Sequence, residues 1–164
     1  MLSSTVTVEE RLARVEHDLQ ELHAQSAIRR TLSQYAIAVD EKRREWLREL
    51  FATDASLRIP VWNIDVSGKA AVMAFYEDYW RRFDNPRRYY ANEDIAVRGN
   101  DATAFMYWHV TQERNGQSII GWGTYEWSFR RHEARWQIAS VVINLQAMTT
   151  LAAGWAGAAR FTDP

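Results

Sequence analysis

The spacing of the apolar residues changes period near Arg88, and this change limits the fold more than any other feature of the sequence. Upstream, apolar residues recur every three or four positions, as in amphipathic helices. Downstream, the segments alternate or are rich in β-branched and aromatic residues, as strands are. These segments are Tyr89–Arg98, Ala102–Arg114, Gln117–Arg131 and Trp136–Met148, with turn signals at Gly99-Asn100-Asp101, Asn115-Gly116 and His132-Glu133-Ala134 between them. Helices followed by a long antiparallel meander predict an α+β domain whose long strands curl into a cone.

Before Arg88 the sequence predicts four helices and one strand. Thr7 and Glu10 have the spacing of a capping box, so a first helix begins here and runs to about Ala24. Its apolar seam, at steps of four and three residues, consists of Val8, Leu12, Val15, Leu19 and Leu22. The later elements are a helix capped by Ser26 and ending at Asp40, a helix Arg44–Phe51, a strand Ala55–Val61 and a helix opened by Ser67-Gly68-Lys69. We expect the seam to pack against the body of the domain or against a partner subunit.

Length and composition predict a single soluble domain. The chain has 164 residues, 47% of them apolar, and a formal net charge of −1. Because it contains no cysteine, disulfides, thiolate nucleophiles and Cys-type metal sites are excluded. The balanced charge gives no attraction to nucleic acid or to an anionic membrane. No segment has the pattern of a signal peptide or of a bilayer span, so the expected location is the cytoplasm.

Most motifs that bind cofactors are missing from the sequence. Gly121-Trp122-Gly123 lacks the third glycine of a phosphate-binding loop and falls in a predicted strand. There is no Walker lysine, no Gly-x-Ser-x-Gly motif and no His-x-x-x-His pair. The four histidines are scattered over separate parts of the chain, whereas a metal needs ligands that converge. We therefore expect neither a cofactor nor a metal ion.

Asp40 is the first candidate for acid–base chemistry. It ends a predicted helix whose other inward residues are apolar. Both the helix dipole and a dry environment disfavour the ionised form of a carboxyl group at this position, which suits proton transfer. The alternative is that Asp40 solvates the end of the helix beside Lys42 and Arg43.

His109 is the second candidate. It lies in the middle of a long predicted strand and shares one face with Tyr107. A histidine on such a face is either a hydrogen-bonded core residue or the acid or base of a pocket. The next strand places Tyr125 and Trp127 on one face, where they are core residues, pocket walls or both.

The order of the elements and five sequence stretches resemble the SnoaL-like branch of the NTF2-like superfamily. The stretches are Tyr35-Ala36-Ile37-Ala38-Val39-Asp40, Leu50–Ala55, Gly68–Tyr76, Gly121–Tyr125 and Arg135-Trp136. The resemblance covers about residues 26–151 and is nearest to the group of scytalone dehydratase, bile acid dehydratase and hexachlorocyclohexane dehydrochlorinase. It implies an NTF2-like cone, a curved, barrel-like antiparallel sheet covered by N-terminal helices, and a homodimer or homotrimer. Residues 1–25 are then an added amphipathic helix, and 152–164 a C-terminal tail.

The resemblance also implies a set of site residues. In that group an Asp at the end of the first core helix pairs with a His, and Asp40 matches the Asp. Tyr35 matches a position whose side chain assists the leaving group. The usual His position, four residues before Asn92, holds Arg88, so the pair is broken, and His109 lies where some relatives carry an additional His. The residues expected to contact substrate are Leu57, Arg88, Tyr90, Asn92, Tyr107, Tyr125, Trp127 and Ile143.

These residues predict a cofactor-independent lyase. It would eliminate water or another small group from a hydrophobic, cyclic substrate, with Asp40 as acid or base in an aromatic pocket. One alternative is a SnoaL-like cyclase or isomerase of secondary metabolism that uses Asp40 without a leaving group. The other is a non-catalytic ligand-binding or assembly module in which Arg88 forms a salt bridge with Asp40. An Arg88–Asp40 hydrogen bond in a cavity filled by tryptophan side chains would weaken both enzyme hypotheses.

Overall fold

The structure, a computed structural model, describes residues 7–156, so six residues of the predicted N-terminal segment and residues 157–164 of the predicted tail lie outside it. The helices are α1 (Val8–Asp40), α2 (Arg44–Leu50) and α3 (Lys69–Arg82). The strands are β1 (Phe51–Ile59), β2 (Ile64–Ser67), β3 (Asp84–Arg98), β4 (Asp101–Arg114), β5 (Gln117–His132) and β6 (Arg135–Thr150). The α+β class and the order of helices and meander strands are as the sequence predicts. No helix of the described residues is both long enough and apolar enough to cross a membrane.

The six strands form one curved sheet in the order β2-β1-β6-β5-β4-β3. The predicted meander from β3 to β6 is confirmed, and every neighbouring pair in it is antiparallel. β1, however, pairs with β6 in parallel, so the sheet is mixed and not wholly antiparallel. The short strand β2, which the sequence analysis missed, pairs with β1 at one edge of the sheet. With β2 and β3 at opposite edges, the sheet is curved but not closed.

The predicted break between two N-terminal helices is wrong, because α1 runs without interruption over 33 residues. The predicted boundary rested on Ser26, a good capping residue that is only slightly unfavourable inside a helix, at less than about 0.7 kcal/mol. Neither glycine nor proline stands near it to end the helix. The capping box of Thr7 and Glu10 is confirmed at the start of α1.

The core lies between the sheet and the helices, and alternation along the strands decides which side chains enter it. In β4 the even-numbered residues from Ala102 to Gln112 are buried, whereas the odd-numbered residues are exposed or half-buried. In β5 the odd-numbered residues Tyr125, Trp127 and Phe129 are buried. The second half of α1 covers this face of the sheet with Ile28, Leu32, Tyr35 and Val39. This packing brings the end of α1 close to the first residues of β3.

Candidate functional site

Asp40 and Arg88 form an ion pair at the place where α1 ends and β3 begins. Arg88 Nε donates to Asp40 Oδ1 at 2.6 Å, and the Arg88 backbone N–H donates to Oδ2 at 2.8 Å. Both side chains are almost buried, with 6% of Arg88 and 10% of Asp40 exposed. Asp40 is therefore enclosed, but it has a counter-charge and does not stand alone among apolar residues.

The guanidinium of Arg88 is held by further contacts. Its Nη2 donates to the Tyr79 hydroxyl at 3.1 Å, and that hydroxyl donates to Gln112 Oε1 at 2.5 Å. The rings of Tyr35 and Tyr79 lie 5.9 and 5.6 Å from the guanidinium carbon, within the range of cation–π attraction. These contacts fix Arg88 in one orientation, because its head group is bonded and enclosed at once.

Buried tyrosine hydroxyls surround this arginine. Tyr35 and Tyr76 share a hydrogen bond of 2.7 Å between their hydroxyl oxygens. Burial raises the pKa of five tyrosine hydroxyls above the ordinary value, those of Tyr35, Tyr76, Tyr79, Tyr90 and Tyr125. At neutral pH these groups are uncharged, so they act as hydrogen-bond donors or acids and not as bases.

An aromatic cavity with a volume of about 50 Å³ lies beside the ion pair. Since a cavity of about 150 Å³ holds one benzene molecule, this cavity is too small for a ring in this conformation. Its polar lining consists of Tyr35, Tyr76, Tyr79, Arg82, Arg88 and Gln112, and its apolar lining includes Trp62, Phe75, Trp108, Tyr125, Ile143 and Met148. Of the described residues, no carboxylate and no histidine lines it. Asp40 is bonded to Arg88 but does not itself line the cavity in this conformation.

The structure brings only some of the predicted site residues together. Four of them line the cavity: Tyr35, Arg88, Tyr125 and Ile143. Leu57 and Trp127 are buried in the core, and Tyr90 stacks edge-on against Tyr125. Two hydrogen-bond donors in this part, the Tyr90 hydroxyl and the Trp127 Nε1–H, are buried without a partner among residues 7–156.

Three other predicted site residues, His109, Tyr107 and Asn92, lie away from the cavity. His109 and Tyr107 occupy odd positions of β4 and so point to the outer face of the sheet, where 46% of Tyr107 is exposed. The shared face was correctly recognised, but alternation alone does not say which face is inside. Asn92 is exposed at an irregularity of β3, with a positive φ of 57° that asparagine tolerates. A His109–Asp40 pair across the cavity is therefore excluded in this structure.

Sequence reasoning missed four polar residues of the site, Tyr76, Tyr79, Arg82 and Gln112. The two tyrosines lie on the inward stripe of α3, a pattern that is more typical of core packing. Gln112 carried a usable signal, because it is a polar residue in the alternation phase of Met106, Trp108 and Val110. A buried amide in such a row needs a partner, which Tyr79 provides. No group of three or more His, Asp or Glu residues among residues 7–156 is placed to hold a metal ion.

The helices, the curved open sheet and the cavity between them define an NTF2-like α+β protein. The model of the family described as SnoaL-like domain matches residues 20–142. The chain therefore belongs to the SnoaL-like domain family, as the resemblance implied. None of the curated proteins matches the chain.

Several solved structures share this fold. Hexachlorocyclohexane dehydrochlorinase LinA-type3 from Novosphingobium barchaimii LL02 superposes with a TM-score of 0.76 at 19% identity, covering 90% of this chain and 99% of that one. A candidate scytalone dehydratase from Novosphingobium aromaticivorans has a TM-score of 0.73 at 20% identity, covering 79% and 88%. An NTF2-like protein with a cystatin-like fold from Novosphingobium aromaticivorans has a TM-score of 0.67 at 22% identity, covering 85% and 90%. At these identities the likeness concerns the fold.

Proposed function

We propose that the protein is a cofactor-independent enzyme that eliminates a small leaving group from a hydrophobic, cyclic molecule bearing an oxygen function. The observation that carries the proposal is the ion pair beside an aromatic cavity, with Arg88 facing the cavity and Asp40 holding it. A buried guanidinium among neutral phenols is a preorganised set of donors for a substrate oxygen that gains negative charge. Elimination next to a carbonyl group develops such a charge.

The substrate oxygen contacts Arg88 in this proposal. The Arg88 bonds to Asp40 and Tyr79 involve its Nε and Nη2, and Nη1 makes no hydrogen bond with another of residues 7–156. The leaving group takes its proton from the hydroxyl pair of Tyr35 and Tyr76.

Asp40 has two tasks in the proposed reaction. It orients Arg88, and it accepts the proton that leaves the substrate carbon once the entering ring has opened the cavity as far as the carboxylate. Two hydrogen bonds from Arg88 use two of the roughly four lone-pair positions of a carboxylate, so acceptor capacity remains. Entry of a ring requires the flexible side chains at the cavity, such as Met148 and Arg82, to move aside.

A panel of cyclic β-hydroxy ketones tests this proposal, with the rise of enone absorbance as the readout. We expect wild-type turnover that is lost in Asp40→Asn and in Tyr35→Phe and retained in Asp54→Asn, a matched change at an exposed carboxylate. Near-UV circular dichroism checks that each variant is folded. Unchanged turnover in Asp40→Asn would exclude the proton transfer assigned to Asp40.

A non-catalytic ligand-binding module is the second candidate. It is favoured by the hydrogen bonds of Arg88 to both oxygens of Asp40 and by the small size of the cavity. Two conditions were set for this candidate from the sequence. The Arg88–Asp40 bond is present, but the cavity is lined by four tyrosines and only two tryptophans. Saturable binding of the ketones by the wild type without turnover of any of them would favour this candidate.

A further inference from the structure

The first half of α1 extends from the body of the domain with an uncovered apolar seam. Every residue from Thr7 to His23 is exposed. The exposed fractions of the seam residues are 75% for Val8, 56% for Leu12, 61% for Val15, 50% for Leu19 and 61% for Leu22. The body of the domain therefore does not cover the seam, which removes one of the two partners expected from the sequence.

The spacing of the seam is that of a coiled coil. Steps of four, three, four and three residues place Val8, Val15 and Leu22 at heptad position d and Leu12 and Leu19 at position a. A strict a and d seam is narrower than the apolar stripe of a helix that packs on a globular core. At a rise of 1.5 Å per residue, the seam is about 21 Å long.

We propose that α1 associates with further copies of this chain in a parallel coiled coil. In a parallel pair, position g of one helix faces position e of the next heptad in its partner. Here Arg11 at g then faces Glu16 at e, and Asp18 at g faces His23 at e. Both contacts join a basic or protonatable side chain with an acid.

An antiparallel pair sets e against e and g against g, and two registers pair four seam residues. In one register Arg11 meets Asp18, but Glu9 meets Glu16; in the other, Glu16 meets Glu16 and Asp18 meets Asp18 of the other copy. Only the parallel orientation has no contact between like charges, so the charges favour it. Leucine at both a positions, with β-branched valine at two of three d positions, favours three or four chains over two.

Light scattering after size-exclusion chromatography of the full chain tests the seam. We expect the wild type to have at least twice the monomer mass of 19.1 kDa. The double variant Leu12→Lys with Leu19→Lys should be monomeric, whereas Ala13→Lys with Gln20→Lys, which adds the same charge beside the seam, should keep the wild-type mass. A monomeric wild type, or an oligomer that persists in the seam variant, would overturn the proposal.

Charge reversal tests the orientation. Arg11→Glu and Glu16→Arg should each raise the dissociation constant about tenfold, because each sets like charges against one another at every helix contact. The double variant should return close to the wild-type value, and Arg14→Glu, at an outer position, should have no effect. Failure of the double variant to recover would overturn the parallel arrangement.

Discussion

Removal of either partner of the Asp40–Arg88 pair should destabilise the fold by a predictable amount. Breaking a buried ion pair from one side costs about 3–5 kcal/mol, because the remaining charge is left without a partner in a dry environment. Asp40 is 10% exposed and keeps one backbone hydrogen bond when the Arg88 side chain is lost. We therefore expect Asp40→Asn and Arg88→Met each to lower the free energy of unfolding by about 3 kcal/mol, the low end of this range.

The double variant Asp40→Asn with Arg88→Met removes both charges. The free energy of unfolding of the double variant should be about 3 kcal/mol below that of the wild type, and not about 6 kcal/mol, the sum of the single losses. The reason is that the second substitution removes the charge that the first left unpaired. The coupling between the two positions is then about 3 kcal/mol. For a domain of this size, each single variant should lower the melting temperature by about 6–12 °C.

Urea unfolding followed by tryptophan fluorescence measures these losses, since the chain has eight tryptophans. The exposed pair of Asp54 and Arg130 supplies the control, and Asp54→Asn and Arg130→Met should leave the unfolding midpoint unchanged. Losses that add in the double variant would refute the assignment of Asp40 and Arg88 as a coupled buried pair. Single variants as stable as the controls would refute it as well.

Two further predictions concern the core. Gly123→Ala should lower the free energy of unfolding by about 3 kcal/mol, because its Cβ would lie 1.9 Å from the Asn144 carbonyl oxygen. Gly121→Ala should cost only about 1 kcal/mol, because its Cβ meets the flexible end of Met148 at 2.8 Å and the Ala147 carbonyl oxygen at the milder distance of 3.3 Å. Equal losses in urea unfolding would contradict the difference. Burial raises the pKa of five tyrosines above the ordinary value of 10.0, so their contribution to stability is complete below pH 10 and is lost as the pH rises above it. In an alkaline titration followed by absorbance at 295 nm, these five tyrosines should ionise only when the protein unfolds. Ionisation of the five tyrosines while the protein is still folded would contradict their burial.

The fold follows from local patterns to a large extent, and the site does so only in part. The strands of the meander were predictable because their alternation and turn residues are strong signals over 10 or more residues. The parallel pairing of β1 with β6 joins residues far apart in the chain, so no local pattern indicates it. α1 continues through Ser26 because no glycine or proline near it ends the helix. The preference of serine for capping positions does not by itself show whether a helix begins there.

Asp40 was a candidate from its place at the end of a helix, whereas Tyr35 and Arg88 were identified through the resemblance. The salt bridge between Arg88 and Asp40 was one of the alternatives left open. Whether Arg88 meets Asp40 depends on how α1 approaches β3, which is a tertiary property. His109 was expected to face the cavity but points to the outer face of the sheet. Alternation along a strand does not show which of its two faces is inside when both carry aromatic residues. Gln112, on the other face, was the better indicator of the inward phase, since a buried polar residue points to a specific partner.

The central claim is that Arg88, held by Asp40, anchors the oxygen of a small apolar ligand inside the cone. A crystal structure of the protein soaked with 2-cyclohexen-1-one, a product-like ketone, tests it most directly. The account predicts the ketone in the aromatic cavity, its oxygen within hydrogen-bond distance of the Arg88 guanidinium and Asp40 still bonded to Arg88. A ketone bound elsewhere, or an Arg88 turned away from Asp40 into solvent, would contradict it.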